Sequence, residues 1–366
     1  MSAKHSSASV PLARIKDPNN ERPKDLRARS KIATINPAQV VVIGSLNIDL
    51  LAQVECLPQP GQTVSASALV RRFGGKGANK ALAVARQGVD VALIGCLGDD
   101  ADGREYRASL ERSGVETSGV TTARRQLTGT AMIAVSKEGE NFIVVNAAAN
   151  AAVTTRHVRL HREVIANAAV VLLQWEIPLP PITEVMMIAN RARVPVIFNP
   201  APMHPDFPWG KVRIAILIVN ESEARNLFGR RALNGTNAFW QAQLTAHGAD
   251  RILITRGARS TIYVARDGRR EVPVLALTPV DTVGAGDIFV GVLAARLAEG
   301  AEFIDAVTAA NCAGGLATLQ PGAQEAIPSR RATDQAVRRL RPQQCLNITH
   351  ILKTAPASDR RVRHSH

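Results

Sequence analysis

The feature that most constrains the fold is a regular alternation of short apolar runs with longer amphipathic stretches. The first run, Val40-Val41-Val42-Ile43, has the length of a buried strand. Residues 76–87 then carry apolar side chains at helical spacing, and Gly88 follows as a helix terminator. Alternation of this kind predicts a mostly parallel sheet with helices on both faces, a three-layer α/β/α fold. Strands are predicted at 40–43, 91–94, 169–174, 194–198, 214–219, 251–255 and 261–265, and helices at 76–87, 102–112, 156–167, 181–192, 221–228 and 236–247.

Three segments do not fit this alternation. Residues 50–56 and 63–70 have strand-like composition, and residues 128–146 have the pattern of a hairpin that turns at Lys137-Glu138-Gly139-Glu140. Polar and small residues mix with apolar ones in all three, as in a sheet with one solvated face. They predict either a small β lid over the active-site edge, from about 45–70 and 128–146, or an extension of the main sheet at its edge. The pattern leaves both open.

The positive charge is concentrated at the two ends of the chain. The net charge is +14, but residues 1–36 hold eight Lys/Arg against three acidic residues, and residues 330–366 hold nine against two. The body is therefore nearly balanced, unlike a domain with a basic binding face, and nucleic acid is not an expected partner. We predict one domain at 37–342 between two basic, disordered extensions, 1–36 and 343–366.

Composition also excludes several other classes of protein. No apolar run approaches the roughly 18 residues that a membrane span needs, so no membrane partner is expected. The N-terminus has no apolar segment typical of a secretory signal. Cys56, Cys96, Cys312 and Cys345 are scattered without CxxC spacing, which argues against a zinc site and favours reduced thiols in a cytoplasmic protein.

The segment from Val280 to Asp287 carries the strongest chemical signal. Its sequence Val-Asp-Thr-Val-Gly-Ala-Gly-Asp places two glycines and a carboxylate where a helix begins near Ala285. The first turn of a helix presents free N–H groups and the positive end of its dipole to an anion. Asp287 would repel that anion, and a better use for it is to accept a proton from an attacking hydroxyl. An anion cradle beside a base predicts phosphoryl transfer to an alcohol, although such a turn is more often a plain helix start.

Better-known nucleotide motifs are not present. The block from Gly284 to Phe289 lacks the third glycine or alanine of a dinucleotide fingerprint. Gly75-Lys76 is followed by Gly77 instead of Ser or Thr, and Val70 stands in the place of the first P-loop glycine. A different phosphate-binding arrangement is therefore expected.

Six segments, in order along residues 40–328, together resemble the ribokinase family within the phosphofructokinase-B group of sugar kinases. The block Gly-Gly-Lys-Gly-Ala-Asn is among the more specific of them, and only the basic ends fall outside the resemblance. The segments are Gly44-Ser45-Leu46-Asn47-Ile48-Asp49, Gly74-Gly75-Lys76-Gly77-Ala78-Asn79, Asn199-Pro200-Ala201-Pro202, Asn220-Glu221-Ser222-Glu223, Thr255-Arg256-Gly257-Ala258-Arg259 and Asp281 through Asp287.

The resemblance implies a sugar site at the carboxyl edge of the sheet, where open α/β sheets bind ligands. Carboxylate, amide and ammonium groups would hold the sugar hydroxyls, and glycines would let the backbone approach closely. From the residues alone, turn capping and surface exposure explain several of the same side chains equally well. The implied sugar-binding residues are Asn47, Asp49, Gly75, Lys76, Asn79, Glu176 and Asp287.

The resemblance also implies a nucleotide site. ATP would contact Asn220, Thr255, Gly257, Ser260, Gly286 and Asn311. Glu223 would handle Mg²⁺ through water, which suits a cation that keeps part of its hydration shell. From the pattern alone Asn220 is equally plausible as a helix N-cap, and Asn311 as a polar residue of a helix. Ser260 replaces a glycine that is frequent in the family.

The resemblance identifies Asp287 as the catalytic base and the N–H groups of Gly284, Ala285 and Gly286 as the anion hole. It further implies a K⁺ site that orders this loop. The K⁺ ligands would be Asp281, Val283, Ala317, Gln320 and Gly322. Ala326 departs from the family here, because ribokinases commonly offer a serine oxygen at this position.

The activity implied is ATP-dependent phosphorylation of D-ribose at its 5-hydroxyl, by a homodimer formed through the β lid. Kinases of deoxyribose, fructose, a 2-keto-3-deoxy acid or pseudouridine stay open as alternatives, since Trp175 and Arg71-Arg72 are unusual neighbours for a pentose pocket. A non-catalytic sugar sensor with nucleic-acid-binding tails is a further alternative. The intact Gly284-Ala285-Gly286-Asp287 block argues against it, because binding alone needs no base.

Overall fold

The computed structural model describes residues 39–340. The extensions predicted at 1–36 and 343–366 lie outside these residues. The strands are β1 Val40–Ile43, β2 Asn47–Val54, β3 Ala66–Gly74, β4 Val91–Gly98, β5 Val115–Glu116, β6 Val120–Ala123, β7 Gly129–Val135, β8 Asn141–Asn146, β9 Val170–Gln174, β10 Val196–Asn199, β11 Ile214–Asn220, β12 Ala249–Arg256, β13 Arg259–Ala265 and β14 Gly268–Val272.

Helices fill the intervals between most of these strands. They are α1 Lys76–Arg86, α2 Ala101–Arg112, α3 Thr155–Leu160, α4 Arg162–Ala166, α5 Leu179–Ala192, α6 Glu221–Phe228, α7 Asn237–His247, α8 Ala285–Ala298, α9 Phe303–Ala317 and a last helix over 330–340. Short 3₁₀ helices span Ala148–Ala152 and Gly229–Arg231. Within residues 39–340, no helix is long and apolar enough to cross a membrane.

The large sheet has the order β14-β13-β12-β11-β10-β9-β1-β4-β5, with β6 also paired to β4. Neighbours from β12 through β5 run parallel, which confirms the predicted mostly parallel sheet. The expected strand at 261–265 is present as β13, but it runs antiparallel to β12, and β14 adds an edge strand that the alternation did not predict. Only two residues join β12 to β13, and a parallel crossover needs a dozen or more.

Helices cover both faces of the large sheet, as the periodicity of β1 shows. Val40 and Val42 belong to a buried cluster with α1, α8 and α9, whereas Val41 and Ile43 belong to a second cluster with α5 and α7. Successive side chains of a strand point to opposite faces, so each face of β1 is buried under its own helical layer. The three-layer α/β/α prediction is confirmed.

The segments that broke the alternation form a separate four-stranded sheet with the order β3-β2-β7-β8, here called the lid sheet. The predicted hairpin at 128–146 is confirmed as the antiparallel pair β7–β8. An extension of the main sheet, the other interpretation, is wrong. The first two strands lie closer to the site than expected: β2 begins at Asn47, and β3 continues to Gly74 because Arg72 and Phe73 pair with Asp49 and Ile48.

One predicted helix is broken. Residues 156–167 form two short helices, because the N–H of His161 bonds to the carbonyl of Val158, only three residues back, and α3 ends there. This tighter bond is common where helices terminate. The segment covers the face of the sheet away from α1 and α8, so the break does not affect the candidate site.

Two glycines allow the close approaches that build the site. Gly75 precedes α1 with a φ of 92°, and a Cβ there would lie 2.7 Å from the backbone nitrogen of Asn47. Gly291 lies in α8 against α1, where a Cβ would lie 2.6 Å from both the Ala83 Cβ and the Lys80 carbonyl oxygen. The start of α1 is therefore held against β2, and the whole of α1 against α8.

Candidate active site

Asp287 lies in the first turn of α8, which begins at Ala285 as predicted. Gly284 caps the helix in the left-handed conformation, with a φ of 77°. The Asp287 carboxylate is only 7% exposed. Its Oδ1 accepts a short hydrogen bond from Lys80 Nζ, and its Oδ2 accepts one of 3.1 Å from Asn79 Nδ2. Two adjacent residues of α1 therefore hold the predicted base.

Opposing effects set the ionisation of Asp287. Burial alone would raise its pKa, but the charges of Lys80 and Lys76, together with the hydrogen bonds from Lys80 and Asn79, hold this pKa below its usual value. Burial lowers the pKa of Lys80, and the charge of Asp287 opposes that shift. Asp287 is therefore a carboxylate at neutral pH, as a general base must be before it accepts a proton.

Asp49 stands on the lid sheet beside the same site. Its carboxylate lies over Gly74, where a Cβ would be 2.0 Å from Asp49 Oδ2. Burial, together with the nearby charges of Glu176 and Asp287, raises the pKa of Asp49 to about 7. Asp49 therefore changes its charge within the physiological range of pH.

Glu176 follows β9 and closes the same pocket from the main sheet. Its Oε2 accepts a hydrogen bond of 2.5 Å from the Ser45 hydroxyl and one of 3.3 Å from the backbone N–H of Lys76. These donors direct the carboxylate toward the N-terminus of α1. The structure thus brings Glu176 together with Lys76, as predicted.

Asn47 is almost fully buried and is positioned by a residue that the sequence analysis missed. Asn150 donates through Nδ2 to Asn47 Oδ1 at 2.7 Å, and its Oδ1 accepts from the N–H of Leu46 at 2.9 Å. This contact engages the Oδ1 of Asn47 and leaves the Nδ2 group of Asn47 uninvolved. This orientation suits a donor to a sugar oxygen.

A cavity of about 130 Å³ opens beside Asp287. It lies at the carboxyl ends of β10, β11 and β12, where ligands of open α/β sheets bind. Most of the polar groups around it belong to the segments that carried the resemblance. The cavity is lined by Lys76, Asn199, Ala201, Ile218, Val219, Asn220, Glu223, Thr255, Gly284, Gly286, Asp287 and Val290.

Asn220 and Glu223 form a capping box at the start of α6. Asn220 Oδ1 accepts from the Glu223 N–H at 2.8 Å, and Glu223 Oε2 accepts from the Asn220 N–H at 2.8 Å. The N-cap interpretation is confirmed, and both residues still line the cavity. Burial raises the pKa of Glu223. A nearby divalent cation would favour its carboxylate form.

The three remaining residues of the predicted ATP site lie outside the cavity lining. Gly257 is in the β12–β13 turn, with a φ of 60°. The Ser260 hydroxyl is bonded to Arg256 and Glu271, and Asn311 accepts from the Thr261 hydroxyl and donates to the carbonyls of Val272 and Pro273. Ser260 and Asn311 thus stabilise the sheet edge, and their contact with ATP stays a prediction.

Asp281 joins two loops next to the anion hole. Its Oδ1 accepts from the Val283 N–H at 3.0 Å, and its Oδ2 from the Gly322 N–H at 2.8 Å. The N–H groups of Val280 and Asp281 donate to the carbonyl of Thr318. Of the predicted K⁺ ligands, Ala317 is the last residue of α9, and Gln320 and Gly322 lie on the second loop, which follows it. Arg72 also approaches this loop, since a Cβ on Gly322 would be 2.3 Å from its guanidinium.

Four residues that hold the site were not predicted. Lys80 bonds to Asp287 and Asn150 to Asn47, and Gln324 and Tyr106 complete a chain that ends on Asn79. Gln324 Nε2 donates to Asn79 Oδ1 at 2.9 Å and to the Tyr106 hydroxyl at 2.6 Å, and Tyr106 donates to the Gly74 carbonyl at 2.6 Å. Lys80 could have been found, because it lies four residues after Lys76 and directly before an apolar run over residues 81–85.

The arrangement combines a buried ionised base, the N–H groups at the start of α8 and the cationic side chain of Lys76. Of the three predicted anion-hole donors, the N–H of Ala285 also donates to the Thr282 carbonyl at 3.3 Å. Such a site can remove a proton from a bound hydroxyl while it stabilises negative charge on an adjacent group. Acceptors for several further hydroxyls lie on the lid side. The geometry is that of phosphoryl transfer to a polyol.

Comparisons with known proteins agree with this chemistry. Residues 37–330 match the model of the pfkB family of carbohydrate kinases. The chain is 33% identical over 296 residues to a ribokinase of Haemophilus influenzae, covering 80% of this chain and 96% of that protein. It is 36% identical over 298 residues to a bifunctional ribokinase/ribose-5-phosphate isomerase A of Fructilactobacillus sanfranciscensis, covering 80% of this chain but 55% of that longer protein.

A solved structure shares the same fold. The structure of Arabidopsis thaliana ribokinase complexed with ribose and ATP superimposes with a TM-score of 0.73 at 29% identity. The alignment covers 82% of this chain and 98% of that chain. With the match to the family model over most of its length, the chain belongs to the pfkB family of carbohydrate kinases.

Proposed function

We propose that this protein transfers the γ-phosphoryl group of ATP to the 5-hydroxyl of D-ribose, giving D-ribose 5-phosphate and ADP. The observation that carries the proposal is the buried, ionised Asp287 between the cavity at the start of α8 and the carboxylates Asp49 and Glu176. Related proteins support the choice of substrates, since relatives are named ribokinases and the Arabidopsis protein was solved with ribose and ATP.

In the proposed reaction each group has one task. Asn47, Asp49 and Glu176 hold the sugar hydroxyls, so that the 5-hydroxyl faces Asp287. Asp287 takes the hydroxyl proton as the oxygen forms its bond to the γ-phosphorus and the bond from that phosphorus to the ADP oxygen breaks. The N–H groups of Gly284, Ala285 and Gly286 stabilise the charge on the transferring group.

Cations balance the phosphate charge. Lys76 lines the cavity, and the charge of Asp287 above all raises its pKa, so it is an ammonium. Mg²⁺ would be held chiefly by the phosphates with Glu223 nearby, and it would neutralise charge on the β- and γ-oxygens. A single carboxylate suits this ion, which retains several waters. Thr255 and Gly257 would approach the nucleotide.

The proposal also includes a cytoplasmic location, supported by the free thiols of Cys56, Cys96 and Cys312.

A first experiment tests the activity and its base together. ADP release is measured with a pentose, hexose and nucleoside panel, and D-ribose is expected to give the highest kcat/KM. Asp287→Asn should lower kcat by about 10²–10⁴, the usual contribution of a general base. Asp267→Asn, in the exposed β13–β14 turn, is the matched control and should keep wild-type turnover. Wild-type turnover by Asp287→Asn would exclude this residue as the base.

The raised pKa of Asp49 predicts a pH-dependent sugar affinity. Above about pH 7 Asp49 is a carboxylate and accepts charge-assisted hydrogen bonds from sugar hydroxyls, and below it the group is protonated and is a weaker acceptor. The KM for ribose should therefore rise on the order of tenfold between pH 8 and pH 6, if only the ionised form binds. Asp49→Asn should bind ribose weakly and with little change over this range. A wild-type KM that is flat from pH 6 to 8 would contradict the assignment.

We further propose that K⁺ occupies the loops joined by Asp281, with ligands from Asp281, Val283, Ala317, Gln320 and Gly322. Oxygen donors on two loops suit a hard monovalent cation, and the bound ion would order the anion hole. Replacing K⁺ by tetramethylammonium should lower kcat several-fold, and Asp281→Asn should remove the response. Equal kcat in the two salts would show that these loops, with Arg72 beside Gly322, need no added cation.

A homodimer through the lid sheet is proposed from its exposed apolar side chains. On the edge strand β8, Phe142 and Ile143 are 59% and 51% exposed, and they point to opposite faces. Such apolar surface on an edge strand marks an interface. Light scattering should give twice the chain mass of 39.1 kDa.

Phe142→Asp and Ile143→Asp would then identify which face forms the interface, since at least one should yield monomers. Met187→Asp changes an apolar residue on α5 that is 40% exposed, and it should leave the dimer intact. A monomeric wild-type protein at micromolar concentration would refute the proposed dimer.

A further inference from the structure

Lys80 is a lysine with no exposed surface. It lies on α1, and its Nζ donates to Asp287 Oδ1 from a position that solvent does not reach. Lysine is almost never fully buried without a partner, because an isolated ammonium in the interior is very costly. Among residues 39–340, it is the Asp287 carboxylate that accepts a hydrogen bond from this ammonium.

The two lysines of α1 have different surroundings. Lys76 is half-buried and lines the cavity, where a ligand can reach it. Lys80 follows one turn later on the same side of the helix and does not line the cavity. Lys76 is therefore placed to contact a substrate, whereas the hydrogen bond of the Lys80 ammonium goes to Asp287.

The site holds more acidic than basic groups. The charge of Asp287 raises the proton affinity of Asp49 and of Glu223, because like charges at short range disfavour ionisation. Without Lys80, Lys76 would be the lysine left at the base, while the Arg72 guanidinium lies on the Glu325 side, since a Cβ on Gly322 would be 2.3 Å from Arg72 and 2.5 Å from Glu325. Three carboxylates surround Asp287: Asp49 on β2, Glu176 after β9 and Glu223 on α6. A fourth, Glu325, lies near Asp49.

We propose that Lys80 is a positioning residue that keeps the base Asp287 ionised and oriented, a role that rests on the proposed kinase function. The ammonium fixes Oδ1 while Asn79 fixes Oδ2, so the plane of the carboxylate is set before the sugar binds. In the reaction the hydroxyl proton moves to Asp287, and Lys80 keeps its own proton throughout. Lys80 thus ensures that the base is deprotonated in advance, at the expense of some basicity.

The test compares pH profiles of kcat at saturating ribose and ATP, which report groups in the enzyme–substrate complex. Lys80→Met removes the charge and keeps most of the length of the side chain. Its acid limb should move upward by at least one pH unit, so that kcat already falls at a pH where the wild type is still on its plateau, and kcat should recover at higher pH. Lys80→Arg keeps the charge, and its acid limb should stay near the wild-type position.

Lys137→Met is the matched control. Lys137 is an exposed lysine of the lid sheet whose ion pair is with Glu55, far from the cavity. This variant should leave the acid limb in place. If Lys80→Met lowers kcat by the same factor at every pH, Lys80 has a merely structural role and the proposal is overturned.

A double-mutant cycle tests whether Lys80 works through Asp287. Added to Asp287→Asn, Lys80→Met should change kcat by less than twofold, because the base is already absent. Each single variant should lower the melting temperature by leaving a buried charge unpaired, and the double variant should recover part of that loss. Multiplicative losses in kcat, or additive losses in melting temperature, would refute the coupling.

Failure of the proposed function looks different from failure of this inference. If the wild-type protein phosphorylates no acceptor in the panel, the kinase proposal fails, and the thermal cycle still reports on the ion pair. If the wild type is active but the acid limb of Lys80→Met does not move, only the role of Lys80 is wrong.

Discussion

The ion pair between α1 and α8 is the contact on which the rest of the site depends. Lys80 and Asp287 meet inside the protein because Gly291 lets the two helices approach until their backbones nearly touch. Removing one member of a buried pair typically costs about 3–5 kcal/mol, since the other charge is left without a partner. The helices that carry the base and its neighbours therefore form one rigid unit. The lid sheet and the carboxyl ends of the strands are arranged around it.

The concentration of carboxylates explains how the site can serve two substrates of opposite character. A neutral sugar needs hydrogen-bond acceptors, which Asp49 and Glu176 provide. A nucleotide carries several negative charges and needs cations and N–H groups, which Lys76 and the start of α8 provide. The two requirements meet at Asp287, where burial raises the proton affinity of the carboxylate and the two lysines lower it.

The sequence predicted the fold well, because the main signals were local. Apolar periodicity placed the strands of the parallel sheet, and the start of α8 was predicted at Ala285 from its glycines. The hairpin β13–β14 was not predicted, because an apolar run such as Thr261 to Ala265 does not reveal which strand it will pair with. The bounds predicted for the lid strands β2 and β3 were wrong by a few residues for the same reason.

Within the site, the sequence located groups that face a ligand better than groups that support them. Lys76, Asn220 and Asp287 lie around one cavity as expected. Lys80, Asn150 and Gln324 were missed, because their roles come from tertiary contacts between residues as far as 245 positions apart. A lysine on an apolar helical face was visible in the sequence, but its partner was not.

The hydrogen bonds that run from Gly74 to Asp287 have a consequence for the form in which the base is held. A peptide carbonyl can only accept, so Tyr106 must give its proton to Gly74 and receive one from Gln324. Gln324 in turn presents N–H to Asn79, which leaves only the amide nitrogen of Asn79 to face Asp287. The carbonyl oxygen of Gly74 thus sets the donor-to-acceptor direction of every hydrogen bond in this chain. The chain ends on the amide of Asn79, a donor that matches the ionised form of the Asp287 carboxyl group.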